Sequence, residues 1–457
     1  MSAGEGGGGG LFQGFSAERF RERRDRVLEA LGDGAMVLPA ASLLRRAGDS
    51  ELRYRPDSEL FYLTGFTEPG ALLLLRGFVD EARSILFVRP RDDKAERWTG
   101  ARMGPDPVSE RMGVDEGRSI EGLWEALPGL LSGADRVFHR LGAHPRIDAL
   151  IVTALRTARA RGARRGIGPR AVEDPGEILD ELRLRKDSEE IEALREAASI
   201  TVEGFRSALP LVTPGLGEWE LEAALEATFR RARAAAPSFA TIVGSGTNAC
   251  VLHYTENASR MREGELVLVD AGAERRMYAG DVTRTVPVSG AFSASQADVY
   301  RAVEEARRTA VEAAAPGVPV EEVHQSAVRT LIQGLIDLGV LAGDPEELLE
   351  AEAHTPYFPH RTCHWLGLNT HDPGDYVRQG EPRRLEPGMV LTVEPGLYFP
   401  PPERGAGPTG AFSGIGIRIE DDVLITEEGR EVLTAGLPTG VEEIERLVAG
   451  EGSGDGD

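Results

Sequence analysis

The chain has 457 residues, 75 acidic and 52 basic side chains, and a formal net charge of −23. This length allows two or three domains, and the negative charge argues against a nucleic-acid partner, because phosphate binding requires basic patches. No apolar run reaches the roughly 18 residues typical of a membrane span, so no membrane association is expected. Two cysteines, Cys250 and Cys363, do not form a disulfide framework, which favours a reducing cytoplasm.

Both ends of the chain are rich in glycine. The N-terminal MSAGEGGGGGLFQGF lacks the basic and apolar segments of a secretory signal. Residues 1–14 and 450–457 are therefore predicted to be disordered tails.

Residues 15–178 alternate between strand and helix patterns. SAERFRERRDRVLEAL predicts an amphipathic helix that Ser16 can cap. GAMVLPAA, ALLLLRGF and SILFVRP are short apolar runs bounded by glycine, proline or charge, and they predict strands. EGLWEALPGLL predicts another helix. Such alternation is typical of an α/β domain.

Residues 186–449 are predicted to form a second domain of the α+β class. Asp187 and Glu190 can form a capping box at the start of a long helix. From residue 236 onward, β-branched runs broken by glycine predict a largely antiparallel sheet. The runs are FATIVGSG, ELVLVDAGAE, DVTRTVPVSG, MVLTVEPGLYF and GIRIEDDVLIT. Two further helices are predicted for VYRAVEEARRTAVEAA and VEEVHQSAVRTLIQGLIDLG.

Two aspartates mark the ends of neighbouring predicted strands. Asp270 ends the apolar run ELVLVD, and Asp281 opens the next run eleven residues later. If the strands pair as a hairpin, both carboxylates can project from one face. Carboxylates in an apolar setting are costly unless they are paired, hydrogen-bonded or bound to a cation. The alternative is that each aspartate only caps a turn.

Two glutamates follow later β-rich runs, Glu394 in VLTVEPGLYF and Glu420 in GIRIEDDV. Four carboxylates packed together cannot all ionise without counter-charge, and two divalent cations would supply it. Oxygen ligands with one imidazole favour Mn²⁺, with Co²⁺, Fe²⁺ and Zn²⁺ as alternatives. A pair of such ions activates water, which predicts hydrolysis.

The contexts DAG…DVTRT, HWLGL…HD, TVEPGLY and IRIED resemble the pita-bread metallopeptidases. The resemblance is strongest to aminopeptidase P, whose family also includes the prolidases. HYTEN and the N-terminal LRYRPDSELFYLTGFTEPGALLLL extend it over nearly the whole chain. It implies a creatinase-like α/β N-terminal domain before a pita-bread catalytic domain. It also implies an exopeptidase that cleaves between an N-terminal residue and a penultimate proline.

The resemblance assigns roles to individual residues. Among the three histidines of residues 360–371, only His364 is a ligand. Glu394 is both a ligand and the proton acceptor from water. Arg418 orients a ligand carboxylate or Tyr398, since period two places it on the strand face of Glu420. The implied metal ligands are Asp270, Asp281, His364, Glu394 and Glu420, and the implied substrate-pocket histidines are His253, His360 and His371.

Each assignment has a plainer alternative. The pocket histidines could be ordinary loop residues, and Arg418 could form a simple ion pair. Trp98 matches a tryptophan that reaches a neighbouring subunit's active site, but it could instead pack in the core. The remaining histidines, His139, His144, His324 and His354, match no motif position and are predicted to be structural or exposed.

Two rival functions remain at this stage. A prolidase shares every ligand but demands a free carboxylate on the proline. A relative that only binds peptides or proteins would have lost ligands, and all five are present. The expected partners are short peptides with proline at position two and further copies of the chain, in a homodimer or homotetramer that the N-terminal domain holds together.

Overall fold

The computed structural model describes residues 14–162, 168–401 and 410–451. Nearly all of the two predicted tails lies outside these residues. The chain divides into two compact units, Met1–Leu182 and Arg183–Asp457. None of the described helices is both long and apolar enough to cross a membrane.

The first unit is built on one sheet flanked by helices. Its helices are α1 (Ala17–Leu31), α2 (Ser58–Thr64), α3 (Asp93–Thr99), α4 (Val108–Met112), α5 (Leu123–Leu130) and α6 (Pro145–Gly162), followed by α7 (Gly176–Leu184), which contains the division. Its strands are β1 (Ala35–Pro39), β2 (Arg45–Ala47), β3 (Ser50–Glu51), β4 (Leu72–Arg76), β5 (Ser84–Val88), β6 (Glu116–Ser119), β7 (Arg136–Phe138) and β8 (Ala171–Glu173).

Six of these strands form a mixed sheet in the order β6-β5-β4-β1-β7-β8. The central strands β1, β4 and β5 are the three apolar runs of the prediction, and they are almost wholly buried. Helix α1 begins after Ser16, whose hydroxyl accepts the Arg19 N–H at 3.3 Å, as predicted. One face of the sheet packs on α5 and α6 through alternate residues such as Val37 and Leu74. The expected α/β character of this unit is confirmed.

Trp98 lies in α3 and is 85% exposed. Core packing, one of the two predicted roles of this side chain, is therefore wrong.

The second unit combines helices with short antiparallel strands. Its helices are α8 (Ser188–Ala208), α9 (Glu218–Arg231), α10 (Ala294–Ala313), α11 (Val320–Asp337), α12 (Pro345–Glu350) and α13 (Val441–Val448). Its strands are β9 (Ala236–Pro237), β10 (Ile242–Ser245), β11 (Leu266–Ala271), β12 (Ala273–Arg275), β13 (Tyr278–Ala279), β14 (Val282–Pro287), β15 (Val377–Arg378), β16 (Glu381–Pro382), β17 (Val390–Val393), β18 (Gly396–Tyr398), β19 (Gly416–Arg418), β20 (Asp421–Thr426) and β21 (Gly429–Val432).

All the paired strands of this unit are antiparallel, as predicted. They form several small ladders instead of one sheet: β10-β11-β14, β13-β12-β9, β15-β16, β17-β20-β21 and β18-β19. The capping box of α8 is also present, with Asp187 and Glu190 in the predicted roles.

Strand pairing places the four acidic residues of the predicted ligand set at or beside the ends of antiparallel ladders. In the β11–β14 pair, Asp270 lies opposite Thr283, two residues beyond Asp281. Between Asp270 and Asp281 the chain passes through Gly272 and turns back. An added Cβ at Gly272 would lie 1.7 Å from the Gly280 carbonyl oxygen. Only glycine fits so close an approach, so this glycine helps to bring Asp270 and Asp281 to one face.

The two glutamates face each other across a second break. Val393 pairs with Asp421 at the end of the β17–β20 ladder, and Gly396 pairs with Arg418 at the end of the β18–β19 ladder. Glu394 and Glu420 therefore lie in opposed gaps between two ladders. The Glu420 N–H donates to the Thr283 carbonyl at 3.1 Å, which ties this gap to β14.

Candidate metal centre

Three of the predicted ligands converge on one point. Asp281, His364 and Glu420 each place a ligand atom within 4.8 Å of the other two. Atoms bonded to one ion at about 2.1 Å lie roughly 3 to 4.2 Å apart, so this group has the size to surround a cation. Asp281 and Glu420 are buried, and His364 is partly buried.

Asp270 and Glu394 flank this group. Glu394 Oε1 lies 3.7 Å from His364 Nε2. The charge of Asp270 contributes to the raised pKa values of Asp281, Glu394 and Glu420. The structure thus brings the five predicted ligands together, and their roles as ligands stay a prediction.

The hydrogen bonding of His364 directs one nitrogen toward the acids. Its Nδ1 donates to the Trp365 carbonyl at 3.1 Å. Its Nε2 lies 3.4 Å from Asp281 Oδ2, beyond the usual hydrogen-bond range. A carbonyl partner on one imidazole nitrogen is the common way to prepare the other nitrogen for a metal.

The acids of this group resist ionisation. Burial, together with the charges of neighbouring carboxylates, raises the pKa of Asp281 and of Glu420 well above the ordinary range. Burial and the charge of Asp270 raise the pKa of Glu394 to about 7. Buried carboxylates of this kind are stable when ionised only beside cations.

Unsatisfied oxygens indicate the same need. Asp270 Oδ1 is buried and has no hydrogen-bond partner among the described residues. Such a group normally costs free energy unless an ion or water satisfies it. The donor set of carboxylate oxygens with one imidazole suits divalent transition metals, so the residues present fit the implied metal ions.

Arg418 is the cation that the chain itself places beside this group. Its Nη2 donates to Asp270 Oδ2 at 2.6 Å, its Nη1 to the Tyr398 hydroxyl at 2.9 Å, and its Nε to Thr283 Oγ1 at 3.1 Å. Arg418 thus contacts both partners that the sequence analysis considered for it, a ligand carboxylate and Tyr398.

His360 is more constrained than a simple substrate donor. Its Nδ1 lies 2.9 Å from the Arg361 carbonyl and must donate to it, and its Nε2 lies 2.9 Å from the Tyr398 hydroxyl. Since Nδ1 holds the proton, Nε2 accepts from Tyr398. Burial lowers the pKa of His360 to about 3, so the ring is neutral around neutral pH.

His371 and His253 are both exposed residues. The rings of His371 and His364 are 4.4 Å apart in an edge-to-face arrangement. Burial, followed by the charges of His364 and His253, lowers the pKa of His371. The charge of His253 also contributes to the lowered pKa of His360. His253 therefore lies within electrostatic range of both of the other pocket histidines.

The sequence analysis missed Thr283, which is fully buried. Its hydroxyl donates to Glu420 Oε2 at 2.7 Å and accepts from Arg418. Its position two residues after Asp281 puts both side chains on one strand face, so strand periodicity could have revealed it. His324 was expected to be structural or exposed, and it is indeed 8% exposed and hydrogen-bonded to Thr362, the residue whose carbonyl accepts the Glu394 N–H.

A different acid follows Glu420 directly. Asp421 is fully buried, and it pairs with Arg284 at 2.9 Å and with Arg307. Thr434 Oγ1 donates to it at 2.6 Å. Burial opposes its ionisation, but the two arginines hold its pKa below the ordinary value. We call these four residues the Asp421 cluster.

The comparisons with known proteins match this architecture. Residues 192–427 match metallopeptidase family M24, and residues 20–138 match the aminopeptidase P N-terminal domain. The Xaa-Pro aminopeptidase of Escherichia coli (strain K12) is 44% identical over 95% of this chain and 98% of that protein. The Xaa-Pro aminopeptidase of Haemophilus influenzae is 39% identical over 94% and 97%.

Solved structures agree. The structure of Pseudomonas aeruginosa aminopeptidase PepP superposes with a TM-score of 0.91 at 40% identity, covering 96% of this chain and 99% of that one. A variant of Escherichia coli aminopeptidase P in complex with substrate gives a TM-score of 0.90 at 43% identity, covering 95% and 98%. These matches confirm the predicted fold class, a pita-bread metallopeptidase domain preceded by an N-terminal domain of the aminopeptidase P type. The chain belongs to metallopeptidase family M24, in its aminopeptidase P branch, and is a hydrolase of the Xaa-Pro aminopeptidase type.

Proposed function

We propose that this chain hydrolyses the bond between an N-terminal residue and a penultimate proline in short peptides. The observation that carries the proposal is the grouping of Asp281, His364 and Glu420 within 4.8 Å of one another. With Asp270 and Glu394, these residues would hold two divalent ions, for which Mn²⁺ is favoured over Co²⁺, Fe²⁺ and Zn²⁺. When bound, the ions polarise the scissile carbonyl and activate water.

Glu394 is proposed to take the proton that water loses on attack. Its carboxyl has a pKa of about 7 in the metal-free centre, so this group can hold a proton near neutral pH. It lies 3.7 Å from His360 Nδ1 and 3.7 Å from His364 Nε2. That position suits a residue that acts both as a ligand and as a proton acceptor.

His371 and His253 are proposed to bind the substrate and its tetrahedral intermediate directly. A neutral imidazole N–H can stabilise a developing oxyanion, and the pKa of His371 is lowered by burial, which favours the neutral form. His360 already uses both ring nitrogens. It would therefore bind substrate only after giving up its contact with Tyr398 or with the Arg361 carbonyl.

Arg418 is proposed to orient Asp270 and Tyr398. Its side chain contacts Asp270, Tyr398 and Thr283, which belong to three different strands. A planar guanidinium with several donors can fix such an arrangement, whereas a single ammonium cannot.

The preference for proline follows from the substrate's chemistry. A prolyl amide lacks an N–H, and its ring fixes φ. Ordinary aminopeptidases therefore handle this bond poorly, and a dedicated pocket is needed. A prolidase, which requires the free carboxylate of a dipeptide, is the alternative.

A cytoplasmic location and a homodimer or homotetramer complete the proposal. The exposed Trp98 supports assembly, because a large aromatic side chain that is 85% in water is typical of a contact surface.

The test is cleavage of Ala-Pro-Ala and of Ala-Pro in the presence of Mn²⁺, with products identified by mass spectrometry and Ala-Ala-Ala as the control peptide. Release of alanine from Ala-Pro-Ala, leaving Pro-Ala, is the expected result. Cleavage of Ala-Pro alone would identify a prolidase. If neither is cut with Mn²⁺, Co²⁺ or Zn²⁺, the proposal of proline-directed hydrolysis is wrong, and a binding role or a different substrate class must replace it.

A further inference from the structure

His253 lies outside the regular helices and strands of its unit. It lies in the irregular segment that joins the short turn Gly246–Cys250 to β11, and its side chain is exposed. No hydrogen bond of this side chain is present in the part of the chain that the structure describes. Since His253 nevertheless lies within electrostatic range of His360 and His371, its position must be set by the backbone that carries it.

One buried carboxylate holds that backbone. Glu218, the first residue of α9, is 0% exposed. It accepts five hydrogen bonds from one segment, residues 245–259. The donors are the Ser245 N–H (2.7 Å), the Ser245 hydroxyl (2.7 Å), the Asn248 amide (3.2 Å), the Tyr254 hydroxyl (2.9 Å) and the Ser259 N–H (2.7 Å).

These contacts reach both ends and the middle of the segment. Ser245 is its first residue, Ser259 is its last, and Tyr254 is the residue next to His253. The Glu218 N–H also donates to the Ser259 carbonyl at 3.0 Å. One carboxylate thus fixes the loop at four residues within a stretch of fifteen.

The Glu218 side chain is satisfied by hydrogen-bond donors, and it forms no ion pair with a basic residue among the described residues. Five donors and the N-terminal end of a 14-residue helix stabilise a carboxylate there. An amide could not replace it, because its NH₂ group would face N–H and O–H donors. The site therefore fits a side chain that has an acceptor oxygen on both sides, as glutamate does.

The other side of the segment is closed by β19. An added Cβ at Gly416 would lie 2.3 Å from the Ala249 carbonyl oxygen. The segment is therefore in direct contact with the strand that ends in Arg418. A displacement of the loop cannot be absorbed on that side.

We propose that Glu218 is a positioning residue: by clamping residues 245–259 it holds His253 at the substrate pocket. This inference rests on the proposed function, in which His253 binds the substrate. Glu218 itself touches no reacting group.

The experiment removes one donor at a time. Tyr254→Phe deletes the hydroxyl next to His253, and Ser245→Ala deletes a second donor. Tyr300→Phe is the matched control, because the Tyr300 hydroxyl is buried in the same unit and has no hydrogen-bond partner within the described part of the chain. Each variant is made alone and combined with His253→Ala, and kcat/KM is measured on Ala-Pro-Ala with Mn²⁺.

The expected result is coupling to His253. Tyr254→Phe lowers kcat/KM about fivefold or more where His253 is present and has no further effect in the His253→Ala background. Equal losses in both backgrounds, or no loss in either, would overturn the proposal. Tyr300→Phe is expected to change neither.

A second readout does not depend on catalysis. The ring resonance of His253, assigned by its disappearance in His253→Ala, is expected to shift or broaden in Tyr254→Phe and to stay unchanged in Tyr300→Phe. If the wild type cleaves no prolyl peptide but this resonance responds, the proposed function fails and the clamp stands. An unaltered resonance in Tyr254→Phe and Ser245→Ala rejects the clamp itself.

Discussion

Glu420 and Asp421 are consecutive buried acids whose pKa values shift in opposite directions. The pKa of Glu420 is raised well above its ordinary value by burial and by the charges of Asp281 and Glu394. The pKa of Asp421 is lowered, because the charges of Arg284 and Arg307 outweigh the effect of burial. The metal centre and the Asp421 cluster therefore solve the same problem differently.

The difference shows what makes a buried acidic group a metal site. In the Asp421 cluster the fold supplies the cations, and the acid is satisfied without a ligand. In the metal centre, among the described residues, Arg418 is the one basic side chain that hydrogen-bonds a predicted ligand carboxylate, and it contacts Asp270 but not the other four ligands. Buried acids with too few built-in cations need ions from solution, whereas burial alone indicates nothing.

The largest expected effect comes from Glu420→Gln. Loss of a predicted ligand should lower kcat/KM roughly a thousandfold or more, because a catalytic metal contributes several kcal/mol to transition-state stabilisation. The measurement is steady-state cleavage of Ala-Pro-Ala together with metal content by elemental analysis.

The same variant should be more stable than the wild type when both are metal-free, because it removes a buried carboxyl group whose ionised form is destabilised by burial and by the charges of Asp281 and Glu394. Chemical denaturation after treatment with a chelator checks this. A metal-free variant that is less stable than the wild type would show that Glu420 is satisfied by the fold, as Asp421 is.

The next largest effect is expected from Asp421→Asn. It leaves Arg284 and Arg307 without their carboxylate, and breaking a buried ion pair costs roughly 3–5 kcal/mol. Urea unfolding of the metal-free protein measures this loss. The metal content of the folded protein should be retained. A metal content that falls in parallel with Glu420→Gln would mean that the two acids belong to one functional group.

The pH dependence of stability should separate the two regions. In the metal-free protein the folded pKa of Glu394 is about 7, above its reference value of 4.5. A raised carboxyl pKa favours the protonated form in the folded state. The stability that Glu394 contributes to the folded protein is fully present below about pH 4.5. It is lost as the pH rises through about 7, by up to about 3 kcal/mol. Asp281 and Glu420 act in the same direction.

The lowered pKa of Asp421 changes the stability of the folded protein with pH in the opposite direction. Its contribution is present above the reference value of 3.8 and is lost only as the pH falls through the lower folded value. Metal-free protein should therefore unfold more easily at about pH 7.5 than at about pH 5, and added Mn²⁺ should reverse the order. Unfolding midpoints at both pH values, with chelator or with Mn²⁺, provide the measurement. A metal-free protein that is equally stable at both values contradicts the raised pKa of Glu394.

Local features of this chain could be predicted from its sequence. The caps of α1 and α8, at Ser16 and Asp187, depend on residues within one turn, and both are present. The placement of Arg418 and Glu420 on the same strand face could be predicted from the two-residue period of a strand alone. The family resemblance added the order of the five ligands, which residue types alone leave open.

Contacts between distant segments could not be predicted in this way. In the run Glu420-Asp421-Asp422, nothing local shows which acid faces the metal centre. The partners of Asp421, Arg284 and Arg307, are 137 and 114 residues away in the chain. Their pairing depends on how β14, α10 and β20 pack. The engagement of both nitrogens of His360 likewise depends on Tyr398, 38 residues later.

The smallest expected effects come from making the same threonine-to-valine substitution in the metal centre and in the Asp421 cluster. Thr283 and Thr434 are each fully buried, and each donates a hydroxyl to an acid, Glu420 at 2.7 Å and Asp421 at 2.6 Å. Thr434→Val should lower stability by about 2 kcal/mol, because the ionised Asp421 loses a donor, and should leave kcat/KM within about twofold.

Thr283→Val should show the reverse pattern. In the metal-free protein, burial and neighbouring carboxylates raise the pKa of Glu420, which disfavours the ionised form, so the lost contact with this acid should cost less stability than the contact of Thr434 with Asp421. Each threonine hydroxyl also accepts one N–H, from Arg418 or from Asp422, so that loss is matched in the two variants. With metal bound, Glu420 loses the donor that orients it, and loss of such a supporting contact lowers metal affinity or activity about tenfold. Mn²⁺ titration and urea unfolding of both variants make the comparison. If the two variants behave alike, Glu420 and Asp421 do not differ in the way that their opposite pKa shifts imply. Deleting a hydroxyl would then have the same effect beside Glu420, which needs a metal ion as its cation, and beside Asp421, which already pairs with two arginines.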